Sequence, residues 1–311
     1  MKVAMYSICK NESPFVDAWM DSAGEADVVV VADTGSTDDT VEKLRARGAL
    51  VYSVHVSPWR FDVARNCALQ LVPADVDVCV CTDLDERFEP GWRMKLEKSW
   101  TPEATRMKYM FTWKFNADGS RGPTFWKSKI HRRHGYRWVH PVHEVLEYCG
   151  EGREVTVADA SIQLNHFPDV KKSRGQYLPL LELAVKEAPQ APDHVFYLGR
   201  EYMYYGKWDR CIETLEAYLK LPGAAWTDQR SAAMRFIAKA YRMKGRREKA
   251  VQWLHRAIAE APHLREPYVE MARLAYTEKN WPKVYYLVSE AAAITRKPPS
   301  YLTEEFAWDH T

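Results

Sequence analysis

The run Val28-Val29-Val30-Val31, closed by Ala32, limits what this chain can fold into more than any other stretch. It has no alternating polar positions, so it suits a strand covered on both faces, as in a parallel sheet. It ends in the polar turn Asp33-Thr34-Gly35-Ser36-Thr37-Asp38-Asp39-Thr40, after which Val41–Arg47 reads as a helix stopped at Gly48. The same grammar occurs on either side. Val3–Cys9 is an apolar strand followed by Lys10–Pro14 and a helical pattern over Phe15–Ala23, with Ser13 before Pro14 as the expected N-cap. Leu50–Val54 is a third strand, Phe61–Val72 a helix, and Val76–Thr82 a fourth strand. Strand, loop and helix repeated in this order indicate an α/β domain with a mostly parallel sheet. Such sheets bind ligands outside the carboxyl ends of their strands. Three polar segments fall there together: Ser7–Glu12, Asp33–Asp38 and Asp83–Glu86. Each alone could be an ordinary capped connection; their convergence is the functional signal.

The last of these segments carries Asp83-Leu84-Asp85 directly after an apolar strand. Two carboxylates one residue apart at a strand end can hold a divalent cation on a diphosphate, although an isolated triplet of this kind more often caps a helix or faces solvent. Phosphate-loop and dinucleotide fingerprints are absent. A chain of 311 residues exceeds the usual size of one core, so two domains are expected. A net charge of only +2 gives no general attraction to nucleic acid or anionic membrane. The six cysteines form no C-x-x-C pair or zinc spacing, and nothing in them calls for an oxidising compartment. Cys79 and Cys81 alternate and so share one core face. Met1–Cys9 is too short and too quickly polar for a signal peptide, and no stretch approaches the roughly 20 apolar residues of a membrane span. These features together lead us to expect a cytoplasmic protein with no membrane span.

Beyond the fourth strand the pattern is less regular. Met107–Phe115 reads as a strand and Gly119–Pro123 as a turn. A basic and aromatic stretch follows, in which Lys127, Lys129, Arg132, Arg133 and Arg137 mix with four histidines up to His143 and with Trp126, Tyr136 and Trp138. It can be a diphosphate and acceptor cradle, a nucleic-acid contact or a solvated hairpin. Ile162–His166 is another apolar strand with a polar end. His166 could instead cap a helix expected at Pro168–Lys172. From Arg174 onward strand signals vanish. Ser231–Pro262 reads as two amphipathic helices joined at Gly245, closely resembling a tetratricopeptide repeat. A copy about 34 residues later, the period of that repeat, runs through Tyr268–Tyr276, Lys279-Asn280 and Val284–Ala293. An earlier copy covers Val195–Tyr205, Gly206-Lys207 and Cys211–Leu219. Three repeats suffice for a small solenoid, which could bind a protein partner or acceptor, mediate a homodimer, or only buttress its neighbour. The row Tyr197, Tyr202, Tyr204, Tyr205 and Trp208 is expected to serve mainly as helix-packing core.

The order Ser-Ile-Cys-Lys-Asn-Glu (7–12), Val-Ala-Asp-Thr-Gly-Ser-Thr-Asp-Asp-Thr (31–40), Phe-x-x-Ala-Arg-Asn (61–66) and Asp-Leu-Asp (83–85) resembles a family 2 glycosyltransferase of the GT-A fold. The resemblance covers roughly residues 1–168. It implies an α/β, Rossmann-like GT-A domain over 1–168, followed by an all-α tetratricopeptide domain over 169–311. It also implies roles. Ser7 and Cys9, with Asn11 and Glu12 in the same motif, would line the nucleotide sugar, and Asp33 would accept a hydrogen bond from the base or ribose. Asp83 would sit by the ribose, and Asp85 would ligate Mn²⁺ or Mg²⁺ bridging the diphosphate. Arg65 would order the donor site or else pair with a nearby acid. In several enzymes of this fold a late histidine completes the metal shell, a position His166 matches; neutral imidazole suits Mn²⁺ better than Mg²⁺. Val142-His143-Glu144 is similar to an element of a subgroup that includes lipopolysaccharide-core transferases. It makes Glu144 the expected base, tuned by His143 or His140, with Asp85, Glu86 and Glu89 as competitors. Trp126, Trp138 and His143 are the expected acceptor contacts.

The implied reaction is a single displacement with inversion. A hexose or N-acetylhexosamine would leave a nucleotide sugar, UDP-linked by expectation, for a hydroxyl of a glycan, lipid-linked or peptide acceptor. A hard cation on carboxylate oxygens would offset the charge growing on the leaving diphosphate, and a second carboxylate would take the hydroxyl proton. Two rivals stand beside this reading. One is a transferase acting on modified bases of DNA, with residues 127–137 on phosphates and a steep salt dependence. The other is an inactive scaffold that works through its repeats; four converging carboxylates speak against it.

Overall fold

The computed structural model describes residues 1–169, 175–298 and 300–308. The chain divides into two compact units, residues 1–172 and 173–311.

In the first unit the β-branched and apolar runs form strands and the capped amphipathic stretches form helices. The order is β1 (Val3–Cys9), α1 (Val16–Ala23), β2 (Val28–Asp33), α2 (Thr40–Ala46), β3 (Leu50–Ser53), α3 (Phe61–Leu71), β4 (Val78–Cys81), β5 (Glu86–Phe88), α4 (Trp92–Ser99), β6 (Arg106–Thr112), β7 (Thr124–Arg132), β8 (Tyr136–Val139), β9 (Val145–Tyr148) and β10 (Thr156–His166). Among the described residues β8 and β9 pair separately, and the other strands form one sheet in the order β3-β2-β1-β4-β7-β6-β10-β5. Strands β3, β2, β1 and β4 are mutually parallel; β7 runs antiparallel to β4 and β6, and β5 antiparallel to β10.

The expected mostly parallel sheet is thus present, and its strand order reverses at β1. From β1 the chain winds outward through β2 and β3, then returns to place β4 on the other side of β1. The crevice at such a switch point is where open α/β sheets take ligands. One face of the sheet packs Val3, Met5 and Val31 with α1, α2 and α4 through Trp19, Leu44 and Trp92. The other packs Ala4, Tyr6, Cys79 and Cys81 with Ala68 and Leu69 of α3 and with Trp138 and Leu146 of the β8–β9 hairpin. Cys79 and Cys81 share that face as their spacing requires, and all six cysteines are free.

One cap differs from expectation. Ser13–Phe15 is a short 3₁₀ turn, and the Ser13 hydroxyl donates to Asp39 and accepts from Lys43 rather than capping α1. The hydroxyl ties two loops together because the proline turn points it away from the helix it precedes. Pro168 and Asp169 are not helical, and the rest of the helix expected over 168–172 lies outside the described residues.

The second unit consists of α5 (Tyr177–Glu187) and three helical hairpins. These are α6 (Pro192–Tyr204) with α7 (Trp208–Tyr218), α8 (Thr227–Met243) with α9 (Arg247–Glu260), and α10 (Glu266–Thr277) with α11 (Trp281–Ala293). The hairpins turn at left-handed residues, Gly206 and Gly245 in the first two and Lys279 in the third. Close packing within the first depends on Gly199, where a Cβ would stand 2.4 Å from Leu215 Cδ2. The tyrosine row divides: Tyr202 is buried while Tyr204 and Tyr205 are exposed, because consecutive residues of a helix cannot face one way. Among the described residues no helix is long and apolar enough to cross a membrane.

Candidate active site

Parallel pairing sets the ends of β1, β2 and β4 side by side, with Cys9 opposite Asp33 and Tyr6 opposite Cys81. Asp83 and Asp85 leave β4 at this edge. β7 returns along β4 with His131 opposite Cys79 and Ile130 opposite Val80, so Lys129 and then Lys127 reach the same edge. Helix α3 crosses the opposite face and brings Arg65.

Arg65 is 4% exposed and joins two of the expected site residues. Its Nη2 donates to Asp83 Oδ1 at 2.6 Å and its Nε to Glu144 Oε1 at 2.5 Å, while the guanidinium carbon lies 5.1 Å from the centre of the Trp138 ring. Asn66, next in the same motif, holds the backbone of Trp138 from both sides. Its Oδ1 accepts from the Trp138 N–H and its Nδ2 donates to the Trp138 carbonyl, each at 2.8 Å. Asn66 has no separate role among the sequence-based expectations; its place in the Ala-Arg-Asn motif is the available signal.

Lys127 donates to Glu86 Oε1 at 2.7 Å, and Lys129 lies 3.6 Å from Asp83 Oδ2. Burial alone would raise the Asp83 pKa, but Arg65, Lys129 and Lys127 hold it well below the usual carboxylate range. For Glu86 burial is likewise outweighed by Lys127 and Lys129. Burial lowers the Lys127 pKa, whereas Asp83 and Glu86 raise that of Lys129 against its own burial. Arg65, Lys127 and Lys129 therefore balance Asp83, Glu86 and Glu144.

Asp85 stands outside this balance. Among the described residues its ion-pairing neighbour is His166, with Nε2 at 3.3 Å from Asp85 Oδ2. Antiparallel pairing of β10 with β5 sets His166 opposite Glu86, which is why a residue so distant in sequence arrives here. His166 Nδ1 is 2.8 Å from the Trp113 carbonyl. That carbonyl can only accept, so Nδ1 carries a proton, the arrangement found behind metal-bound histidines; burial would lower the His166 pKa, but the Asp85 carboxylate beside Nε2 raises it. A carboxylate oxygen and an imidazole nitrogen are both ligand types that a divalent cation accepts. Among the described residues no group of three or more His, Cys, Asp or Glu side chains is placed so that it could hold a metal ion.

Other expected site residues are placed differently. Ser7 is buried and its hydroxyl donates to the Thr82 carbonyl at 2.6 Å, so it clasps β1 to the end of β4 instead of lining a ligand. Cys9 is buried against Asp33, and burial pushes its thiol pKa up. Asp33 accepts from the backbone N–H groups of Gly35 and Ser36, organising its own turn. Asn11, at φ 55°, accepts from the Thr37 N–H, and the backbone N–H of Glu12 donates to Thr40 Oγ1. These four residues fix the loop edge of the crevice.

Trp138 corrects an expectation. Its indole is 2% exposed and Nε1 donates to Tyr6 Oη at 2.8 Å, so it offers no face to an acceptor; the alternation of β8 turns it inward. Trp126, 47% exposed, remains open to one. His143 sits at φ 51° in the turn that delivers Glu144. The basic stretch also breaks up. Arg132 donates to the Ala104 and Pro102 carbonyls, Arg133 to the Val72 carbonyl, and Arg137 pairs with Glu147. Lys127 and Lys129 serve one end of β7 and Arg132 the other, while Arg133 and Arg137 lie beyond it.

The parallel β3-β2-β1-β4 half, the Asp-x-Asp after β4 and the mixed half through β7, β6 and β10 complete the first fold; paired helices turning on left-handed residues complete the second. The chain joins a GT-A-type domain to tetratricopeptide-type repeats. No protein-family model matches the sequence. Among solved structures it is similar to glucosyl-3-phosphoglycerate synthase from Mycobacterium tuberculosis, crystallised with Mn²⁺, UDP and glucosyl-3-phosphoglycerate, at 23% identity over 35% of this chain and 44% of that one, TM-score 0.29. S. aureus TarS matches at 12% identity over 80% of this chain and 55% of its own, TM-score 0.48. MamA matches at 20% identity over 42% of this chain and 76% of its own, TM-score 0.34. The chain thus spans 44% of the length of the synthase and 55% of that of TarS.

Proposed function

We propose that the first domain, over residues 1–168, is a metal-dependent inverting glycosyltransferase, and that residues 169–311 form its repeat domain. The donor is a nucleotide sugar, UDP-linked, and the transferred group a hexose or N-acetylhexosamine. The observation that carries this reading is the Asp85–His166 pair, formed where the turn between β4 and β5 meets the end of β10 and set apart from an otherwise charge-balanced group of acids and bases.

Asp85 and His166 Nε2 would hold a divalent cation, which when bound offsets the negative charge growing on the departing diphosphate. Lys129 and Lys127 stand beside this position and supply further positive charge without moving. Asp83, held ionised by Arg65, can accept from ribose hydroxyls. Glu144 uses one oxygen on Arg65 and keeps lone pairs for a proton from the acceptor hydroxyl as it attacks the anomeric carbon. A single base matches a single displacement, so no sugar–enzyme bond is required. The acceptor is a hydroxyl of a glycan, lipid-linked or peptide molecule entering past Trp126.

The test is calorimetric titration of UDP and GDP, each with Mn²⁺ and with EDTA, into wild type and Asp85→Ala. UDP binding that needs metal and is lost in the variant supports the reading. Absence of nucleotide binding under every condition overturns it.

A further inference from the structure

Trp113 directly follows β6 and has no part in the reaction as described so far, yet it is held more firmly than its exposure suggests. The residue is 48% exposed. Its N–H donates to the Pro123 carbonyl at 2.9 Å, across the β6–β7 hairpin, and its carbonyl accepts from His166 Nδ1 at 2.8 Å. The ring is held too. Its centre lies 4.8 Å from that of the His166 imidazole and 6.2 Å from that of Phe111, which is fully buried. Lys127 Nζ in turn lies 3.7 Å from the centre of the Phe111 ring. Trp126 is equally open at 47% but stands opposite Met110, whereas Trp113 shares its face with Phe111 and His166. Neighbouring residues of a strand point to opposite faces, so the two indoles stand on opposite sides of the hairpin.

A lone exposed apolar residue is ordinary. What sets Trp113 apart is that main chain and ring are both fixed while nearly half of its surface stays open. A side chain already immobilised loses little conformational freedom on meeting a ligand, which makes a fixed indole an effective contact surface. A pyranose has the matching chemistry. Its C–H groups form an apolar patch on one face and its hydroxyls ring the edge, so the patch stacks on an aromatic plane while the hydroxyls keep polar partners. The imidazole that steadies the indole is the one whose Nε2 lies 3.3 Å from Asp85 Oδ2. A sugar stacked on Trp113 therefore lies beside the position expected for the diphosphate.

We propose, on the transferase reading of this site, that Trp113 is the stacking platform for a pyranose ring bound next to the Asp85–His166 pair. The ring belongs either to the donor's hexose or to the terminal sugar of a glycan acceptor; both present the same C–H face, and the two arms of the test separate them. His166 is clasped by the Trp113 carbonyl, so replacing the side chain leaves that hydrogen bond available.

The test uses the full chain with Mn²⁺, as wild type, Trp113→Leu and Trp113→Phe. Calorimetry reads UDP and the UDP-linked forms of glucose, galactose and N-acetylglucosamine. Saturation-transfer NMR, with UDP already bound, reads the methyl glycosides of the same three sugars. Trp113→Leu is expected to bind UDP as wild type does and to bind the preferred sugar about tenfold more weakly, the loss of one stacking contact. A loss confined to the UDP-sugars assigns the platform to the donor; a loss confined to the glycosides assigns it to the acceptor. Trp113→Phe, which keeps an aromatic face, should stay within about threefold of wild type. Wild-type affinity of Trp113→Leu for every sugar overturns the proposal, as does a wild type that binds UDP but none of the sugars. An equal loss for UDP itself would also overturn it, since Trp113 would then only support His166. Absence of UDP binding by wild type brings down the transferase reading instead, and the platform with it.

Discussion

Arg65 is the residue whose removal tests the site most directly. Arg65→Ala takes away two charge-assisted hydrogen bonds, to Glu144 and Asp83, and a cation stacked on Trp138. The two losses differ in size. The Glu144 side chain is 11% exposed and would be left as an uncompensated carboxylate, a situation that costs about 3–5 kcal/mol when the partner of a buried pair is deleted. Asp83 is 37% exposed and keeps Lys129, so water and a second cation limit its share to within about 1 kcal/mol. The expected destabilisation is therefore about 3–5 kcal/mol, dominated by Glu144. Glu144→Gln alone should cost less, since Arg65 keeps Asp83. In a double-mutant cycle by urea denaturation, Arg65 and Glu144 should couple by about 1–3 kcal/mol. Arg65→Lys should not restore the wild-type value, because an ammonium cannot bridge two carboxylates in one plane. Additivity of the two substitutions within about 0.5 kcal/mol would refute the assignment of Arg65 as the link between the acids.

Two further expectations concern the frame around the site. His131 is buried, and its pKa is pushed down to about 3, so it is neutral in the fold. Trp138 donates to Tyr6, which donates to His131 Nε2, while Nδ1 serves the Arg132 carbonyl, so a second proton has no acceptor. The unfolded chain binds that proton below pH 6.5. Stability should therefore fall as pH drops from 6.5 toward 3, by up to about 1.4 kcal/mol per pH unit from this group. His131→Gln, followed by melts across that window, should flatten the slope; an unchanged slope would remove His131 as its source. Gly199→Ala should gain helix propensity of up to about 1 kcal/mol, yet lower the melting temperature. Its Cβ would meet Leu215 at 2.4 Å, an overpacking cost of about 1–3 kcal/mol; a rise on heating scans would show that α7 can move aside.

Period and punctuation made much of this protein legible. The valine run at 28–31 can only be a covered strand, and Gly206, Gly245 and the 34-residue spacing mark the hairpins, since such signals depend on neighbours within a few residues. The acids at the strand ends were legible because a parallel sheet must put them on one edge. Long-range register was not. That Arg65 meets Glu144 across 79 positions follows from the docking of the β8–β9 hairpin on α3, and that His166 reaches Asp85 and that Lys127 and Lys129 part company with Arg132 and Arg133 follow from how β10 and β7 pair with their neighbours. Trp138 and Ser7 show the same limit in the other direction, since both carry ligand-binding chemistry in principle and both are spent inside the core. Residue type and spacing, then, determined the elements and the chemistry available to them. Which side chains face the crevice and which pair with each other was decided by tertiary packing, because a one-residue change of register reverses every side chain of a strand without altering its pattern.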